Sequence, residues 1–414
     1  MKKNTYMISA YILVSWAVSV SAQESIETLS LSDAVNRSLE YNLVFSILQN
    51  EIEMADAEAE QAGLFPNPVL SGGMESITTD TDANNPEQRQ DMVGITQPIP
   101  LGGALQKARR VSELEREQLE AELETLKIEL ASDTKTAFYE VVYYQEVLDQ
   151  LDELQSILND VLQVSKSRLE QGDIAEIEVI RVEANHERFS IESEIAESHL
   201  INTKTRLAAI MGNPNLDIGR CQGDLEPVES NLTFESLTQQ LDSHPRKAVW
   251  QKREVKAEAK IEKAKADSYP QLEIGTNYRR FAASDQDTFD FTVGISIPIF
   301  NRNQGAIRYH KENLEREQLA IAYEQKKLEE QIKVTLENVQ THQERIDRFK
   351  NNILPKIEET SRISQTSYSA GDVSILEVLD AYPNLAESRL TYLQELIELK
   401  KSMIQLEKLI GKEI

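Results

Sequence analysis

The sequence predicts a mainly α-helical chain with a β contribution, in which one unit occurs twice: a helix, a β-hairpin and a long helical hairpin. Glu, Leu, Lys and Ala abound while glycine and aromatic residues are sparse, a balance typical of long helices and coiled coils. A Gly-Asp turn at Gly172-Asp173 recurs 199 positions later at Gly371-Asp372. A second break, at Gly212, recurs at Gly411 with the same offset. This shared register indicates a duplicated architecture.

The net charge of the chain restricts the classes of partner that it can bind. The 414 residues carry a formal net charge of −26, with 28% of them charged. Such a charge argues against nucleic acid as a partner, because nothing basic offsets it, whereas cations or basic protein surfaces suit such a chain. The single cysteine, Cys221, cannot form a disulfide within the chain, and the five histidines are scattered. We therefore predict no metal site and no cofactor.

The N-terminal sequence predicts a signal peptide that covers residues 1–22. Lys2 and Lys3 precede a mostly apolar run from residue 6 to 20, and Ser21-Ala22 supplies small residues for cleavage. An N-terminal membrane anchor is the alternative. No cysteine near the cleavage point could carry a lipid, and no later segment has 18 consecutive apolar residues. We expect an exported protein without a transmembrane helix.

The first repeat is expected to cover residues 23–212. A helix is predicted from Leu29, with Ser32 as its N-cap. It is expected to resume after Asn42 and to run to about Leu64, where Pro66 and Pro68 stop it. Strands follow at about 67–77 and 91–99, separated by a polar turn, and then a helical hairpin at about 103–211. The hairpin should pack along a seam with coiled-coil spacing, formed by Val147, Leu151, Leu154, Leu158 and Val161. A linker is expected at 213–232.

The second repeat, residues 233–414, follows the same plan. A helix at 234–267 with Thr233 as its N-cap precedes strands at about 271–281 and 288–300 and a helical hairpin at about 305–410. Pro355 is expected to kink the long helix. The predicted seam of that helix consists of Ile332, Leu336, Val339, Ile346, Phe349 and Ile353.

The last strand shows the clearest alternation. Phe289, Phe291, Val293, Ile295 and Ile297 fall on one face, and the residues between them are small or polar. Strict alternation of this kind predicts one apolar and one wet face. Such a sheet could cover a core, but no helix remains free to supply one. Lipid is the other cover, and because a bilayer forbids open edges, four strands per chain would have to close with other copies.

Several segments together resemble the TolC-type outer-membrane efflux proteins of Gram-negative export systems. They are Ala62-Gly-Leu-Phe-Pro-Asn-Pro68, Gln97-Pro-Ile-Pro100 and the Gly371 turn leading to Leu376-Glu-Val-Leu-Asp-Ala381, set in the duplicated plan. The resemblance covers about residues 29–412. Within the family the chain is most similar to the branch that serves heavy-metal cation exporters of the resistance–nodulation–division class.

The resemblance implies a homotrimer in the cell outer membrane. Each chain would give four strands to a 12-stranded β-barrel embedded in outer-membrane lipid, continued by a periplasmic α-helical tunnel. It would act as a passive duct, opened by a periplasmic adaptor and an inner-membrane resistance–nodulation–division pump, that exports cations or small toxic compounds. A periplasmic adaptor and a structural coiled-coil protein remain as alternatives. No phosphate-binding loop, H-E-x-x-H motif or nucleophile elbow is present, so no enzyme is predicted.

The two Gly-Asp turns should lie at the far end of helices about 100 Å long, away from the strands. The resemblance makes these tips the surface on which the adaptor docks, through Gly172, Asp173, Ile174, Gly371, Asp372 and Val373. The alternative is purely structural: the glycines end one helix in the left-handed conformation, and Asp173 and Asp372 N-cap the next.

A periplasmic gate is expected just inside the tips. Glu377 and Asp380 share a helix face, and the resemblance implies an acidic ring there that narrows the closed entrance. Their twin positions are Glu178 and Arg181, and Arg181 could pair with a neighbouring acid to restrain the closed state. A solvated face of charges is the alternative. Val373 stands where some family members carry a basic gate residue, so no latch of that kind is expected here.

Overall fold

The computed structural model describes residues 25–75, 89–227, 232–241, 244–281 and 286–414. The predicted signal peptide and the polar turn between the first two strands lie outside these residues. The described elements are, in order, β1 Ser25–Ser30, α1 Leu31–Tyr41, α2 Leu43–Ala62, β2 Val69–Glu75, β3 Gln90–Pro100, α3 Ala104–Glu170, α4 Glu176–Ile210, β4 Asp217–Gln222, α5 Phe234–Gln240, α6 Pro245–Ala266, β5 Gln271–Phe281, β6 Gln286–Ile295, α7 Gln304–Arg348, a π-helical turn Phe349–Ile353, α8 Leu354–Ala370 and α9 Ile375–Ile410.

The long helices pack along the predicted seams. α3, with 67 residues, is about 100 Å long and contacts α2, α4, α6 and α9. All five seam residues predicted on α3 are buried. On α7 the seam is buried from Ile332 to Ile346, but Phe349 is half-buried and Ile353 is exposed. The π-helical turn rotates the helix there, just before Pro355, whose missing N–H cannot continue the regular bonding.

Four strands form one antiparallel sheet in the order β2-β3-β5-β6. The cross-strand pairs Leu70↔Ile95, Val93↔Tyr278 and Tyr278↔Phe289 put most apolar residues of the four strands on a single face, as the alternation predicted. Val69, Met92 and Phe281 lie on the other face. β6 ends at Ile295, short of the predicted residue 300. Pro298 cannot donate to a ladder, and the backbone N–H of Ile299 turns back to the carbonyl of Ile297 at 2.9 Å.

A second, two-stranded sheet was not predicted. β1 pairs in parallel with β4, joining residues about 190 positions apart. The segment 213–232 is therefore not simply a linker, and α1 begins at Leu31 rather than Leu29. Its N-cap is Ser30, whose Oγ accepts a hydrogen bond from the backbone N–H of Asp33 at 3.2 Å, and not Ser32. Strands of six residues that pair over such a distance in sequence have too short a hydrophobic pattern to be predicted locally.

The small sheet packs on the middle of α3. Ile218 and Cys221 of β4 are buried in one cluster with Phe138 and Val142. The side-chain amide of Gln145 donates to the carbonyl of Cys221 at 3.0 Å and accepts from its N–H at 2.9 Å. A separate core lies between the turns and the middle of the helices. Within the described residues no helix is long and apolar enough to cross a membrane.

The helix predicted at 234–267 is divided into α5 and α6. Pro245 begins α6, because a proline is tolerated in the first turn of a helix but not in its interior. His244 is the N-cap, and its Nδ1 accepts a hydrogen bond from the backbone N–H of Arg246 at 2.9 Å. The cap predicted at Thr233 is confirmed: it forms a reciprocal capping box with Ser236 at the start of α5.

Candidate functional site at the helical tips and the open sheet

Both Gly-Asp turns close their helices in the same way. At the first turn the N–H of Gly172 bonds to the carbonyl of Leu169 and the N–H of Asp173 to that of Arg168, each at 2.9 Å. The second turn repeats both bonds, at 3.0 and 2.9 Å, between Gly371-Asp372 and the end of α8. Gly172 and Gly371 have φ of 80° and 85°, the left-handed region that glycine enters without steric cost. Their predicted role as C-terminal caps is confirmed.

The two aspartates do not cap the helices that follow. The N-cap of α4 is Ala175, which makes no side-chain bond, and the N-cap of α9 is Ser374, whose Oγ accepts from the N–H of Leu376 at 3.2 Å. The prediction that Asp173 and Asp372 are N-caps is wrong, because the turn needs two further residues before the backbone becomes helical. Both aspartates are exposed, and neither carboxylate has a hydrogen-bond or ion-pair partner in the described part of the chain.

The third residue of each turn fixes the tip to the helices behind it. Ile174 and Val373 are half-buried and pack against the apolar cluster that also contains Val179, Val182 and Val378. The six predicted tip residues thus fall into three pairs with different environments. The glycines shape the turn, the apolar residues hold it in place, and the aspartates project into solvent.

A contact between the two tips was not foreseen. Arg168 of α3 donates from Nη1 to the carbonyl of Tyr368 on α8 at 3.2 Å, and its guanidinium lies 5.1 Å from the centre of the Tyr368 ring. The Tyr368 hydroxyl donates to the buried Oγ of Ser165 at 2.8 Å, while Ser165 donates to the carbonyl of Val161. These bonds join the first helical hairpin to the second close to both turns.

The second repeat has no counterpart of this contact, so the similarity between the two repeats does not predict it. The position equivalent to Arg168 in the second repeat is Ser367, so the link has no copy. The available signal was a basic residue in the last turn of a helix, where it can bond to carbonyl groups. Such residues are common, and the sequence does not say that the carbonyl belongs to a different helix.

The four predicted gate residues lie in the first two turns of α4 and α9. Glu377 and Asp380 are exposed, on the side of α9 away from the buried Ile375 and Val378. Glu178 is half-buried and Arg181 is exposed on α4. Within one described protomer none of the four forms an ion pair, so the acidic ring and the restraint through Arg181 remain predictions about an assembly.

The apolar face of the four-stranded sheet is uncovered. Phe291 is 84% exposed and Val293 75%, both on β6. The opposite face is polar and carries Arg279, whose Nε donates to Asp290 at 3.1 Å and whose Nη1 donates to Gln90 at 2.7 Å. β2 and β6 each pair on one side only, so the sheet has two open edges.

This combination of an open sheet and long helical hairpins matches a known family. A family model described as outer membrane efflux protein matches residues 46–213 and 237–412, one stretch in each repeat. The chain belongs to the outer membrane efflux protein family. The family is one of efflux channels and not of enzymes.

Individual relatives agree with the family assignment. The cobalt-zinc-cadmium resistance protein CzcC of Cupriavidus metallidurans is 22% identical over 395 residues, covering 95% of this chain and 93% of that protein. Among solved structures, CusC superimposes with a TM-score of 0.78 at 17% identity over 92% of each chain. VceC of Vibrio cholerae gives 0.76 at 15% identity over 92% of this chain and 96% of that one. These structures share the fold of this efflux protein.

Proposed function

We propose that this efflux protein is the outer-membrane duct of a tripartite export system. Three copies close their four-stranded sheets into a 12-stranded barrel in the outer membrane, and their helices form a tunnel across the periplasm. The duct is passive. A periplasmic adaptor opens it, and an inner-membrane resistance–nodulation–division pump supplies the energy.

The observation that carries this proposal is the uncovered sheet with its two open edges. A row of exposed Phe, Val and Ile is costly in water, at roughly 25 cal/mol per Å² of apolar surface, and open strand edges invite pairing. Lipid on the apolar face and a second copy at each edge remove both costs together. β5 and β6, with 11 and 10 residues, have the length that a tilted strand needs to cross a bilayer.

The tips are proposed as the docking surface for the adaptor. Arg168 links the helices beside the two turns, and Asp173 and Asp372 are exposed and form no ion pair within the described residues. A partner with basic or polar side chains at the tip of its own helical hairpin would find two exposed carboxylates per protomer. Behind them, Glu377 and Asp380 of three protomers would crowd like charges at the entrance, and this repulsion would favour opening once docking loosens the tips.

Heavy-metal cations are the proposed cargo. The relative CzcC is named for cobalt, zinc and cadmium resistance. The net charge of −26 would also raise the local concentration of cations in a tunnel lined by this chain.

The double variant Asp173→Lys/Asp372→Lys tests the docking proposal. It changes the charge of the tips while leaving the glycine turns and both N-caps intact. We expect cation resistance to fall at least about tenfold in a strain that depends on the exporter, on the order of 1.4 kcal/mol of lost docking energy. The trimer and its membrane location should be unchanged.

The matched control is Glu329→Lys/Glu337→Lys, which makes the same change of charge at exposed positions on the shaft of α7. This control should keep wild-type resistance. Equal resistance in both double variants would remove the docking claim while leaving the duct itself in place.

A further inference from the structure

A belt of basic and aromatic side chains surrounds the junction between the sheet and the long helices. Residues 92–112 and 291–311 occupy equivalent places in the two repeats, and each contains three basic residues and no acidic one. In a chain with a net charge of −26 these are exceptional stretches. We call the exposed part of this belt the junction collar: Lys107, Arg302, Arg308 and Lys311, with the aromatic residues Phe65, Tyr269, Phe300 and Tyr309.

Two close contacts bring together the segments that carry the collar. Gly102, with φ of 69°, lies so near the ring of Tyr269 that a Cβ would come within 2.5 Å of it. Asn303 donates from Nδ2 to the carbonyl of Ala264 at 2.8 Å. The starts of α3 and α7 therefore both rest against the end of α6.

The collar keeps its positive charge after the local ion pairs are counted. Glu262 pairs with Lys265 at 2.6 Å, Asp267 with Lys263 at 2.7 Å, and Glu113 with Arg109 at 2.9 Å. The four basic residues of the collar form no ion pair in the described residues; the guanidinium of Arg302 donates to the carbonyl of Ile299. Glu60, Glu273 and Glu312 are exposed carboxylates close in sequence to the collar. The pKa of Glu262 is lowered first by its hydrogen bond to Lys265 and to a lesser degree by the charge of Lys107. The pKa of His310 is lowered, first by burial and then by Lys260 and Lys263.

The exposed aromatic residues of the collar are of the kind found at a membrane–water boundary. Phe300 is 90% exposed, and Phe65, Tyr269 and Tyr309 are all more than half exposed. Aromatic side chains of this kind collect where a membrane meets water. Lys107 and Arg308 lie three and four residues after the first residues of α3 and α7, about 4.5–6 Å along each helix, a distance comparable to the depth of a headgroup layer. Their long side chains can reach along it.

We propose that the junction collar binds the headgroups of anionic phospholipids in the leaflet that faces the helices. This inference rests on the proposed membrane barrel. Lys and Arg bind phosphodiester groups through charge-assisted hydrogen bonds, while Phe300 and its aromatic neighbours lie among the upper acyl chains. The collar therefore sets the depth of the barrel in the bilayer and selects the lipid around it.

Native mass spectrometry of the purified trimer tests the proposal. The trimer is titrated in detergent with equal amounts of phosphatidylglycerol and phosphatidylethanolamine. We expect the wild type to retain phosphatidylglycerol preferentially, and the variant K107Q/R302Q/R308Q/K311Q to lose at least about fivefold in this preference. Raising the salt concentration should weaken wild-type binding, because exposed charges are screened.

The matched control is K326Q/K327Q/K333Q/K356Q, which removes four exposed charges from the helical shaft. It should keep the wild-type preference. Equal loss in both variants, or no loss in the collar variant, would overturn the proposal. If the collar variant does not assemble, the pairs K107Q/R302Q and R308Q/K311Q decide in the same way, each with a partial loss expected. A wild type absent from the membrane fraction would instead contradict the proposed function.

Discussion

Arg168 and Tyr368 hold the two helical tips of the protomer together. Arg168 contacts Tyr368 through the backbone carbonyl and through the face of the ring, and the hydroxyl of Tyr368 reaches a buried serine. A movement that separates the first hairpin from the second must break all three interactions. These contacts therefore resist the opening that the proposed function requires, and the docked adaptor would have to supply the compensating energy.

The variant Arg168→Gln should open the duct more readily. Loss of the guanidinium removes a charge-assisted bond and a cation–π contact, about 1 kcal/mol at a half-buried site. We expect the open state to become about fivefold more populated, seen as more frequent openings in planar-bilayer recordings.

Arg362→Gln serves as the control for this change. Arg362 lies on α8, as Tyr368 does, but its ion-pair partner is Glu359 on the same helix. It should record like the wild type. Arg168→Gln recordings that match those of Arg362→Gln would show that the link between the tips does not restrain the gate.

The long helices and the strands of the four-stranded sheet could be predicted from the sequence because each follows one strong local rule. The seam on α3 keeps its 3–4 spacing from Val147 to Val161, and β6 alternates strictly from Phe289 to Ile295. Glycine turns and prolines mark most of the boundaries in between. Such features do not depend on distant parts of the chain.

The elements that were missed depend on distant partners or on fine backbone geometry. β1 and β4 are strands only because they pair with each other across the first repeat. The N-caps Ser30 and Ser374 lie two residues from Ser32 and Asp372, which have equally suitable side chains. The contact of Arg168 crosses from one repeat to the other. Local patterns contain no information about such pairings.

A charged residue on the apolar face of β6 should prevent membrane insertion. Phe291→Arg would place a guanidinium against lipid, at a cost of about 2–4 kcal/mol per strand near the membrane centre. We expect this variant to be largely lost from the outer-membrane fraction.

Thr292→Arg makes a comparable change one residue later, on the polar face. It should insert like the wild type, because that face would line water. The two variants are compared by quantifying protein in the outer-membrane and soluble fractions. If both insert equally well, lipid does not cover the apolar face.

The whole molecule is divided along its length by charge and polarity. The sheet presents an apolar face, the junction collar is basic, and the helical shaft and exposed tips are acidic. This order suits a protein that crosses one membrane and extends into water towards a partner. The two repeats supply the same layers twice, so a trimer would repeat each layer six times around its axis.

Three copies of the chain are proposed to close their sheets into one barrel in the outer membrane. Membrane fractionation followed by a denaturing gel, with and without prior heating, tests this proposal. We predict that the protein is found in the outer-membrane fraction and migrates as a trimer unless heated, because the closed strand ladder between copies resists detergent. A protein that remains soluble and migrates as a monomer under both conditions would contradict the proposed trimeric barrel.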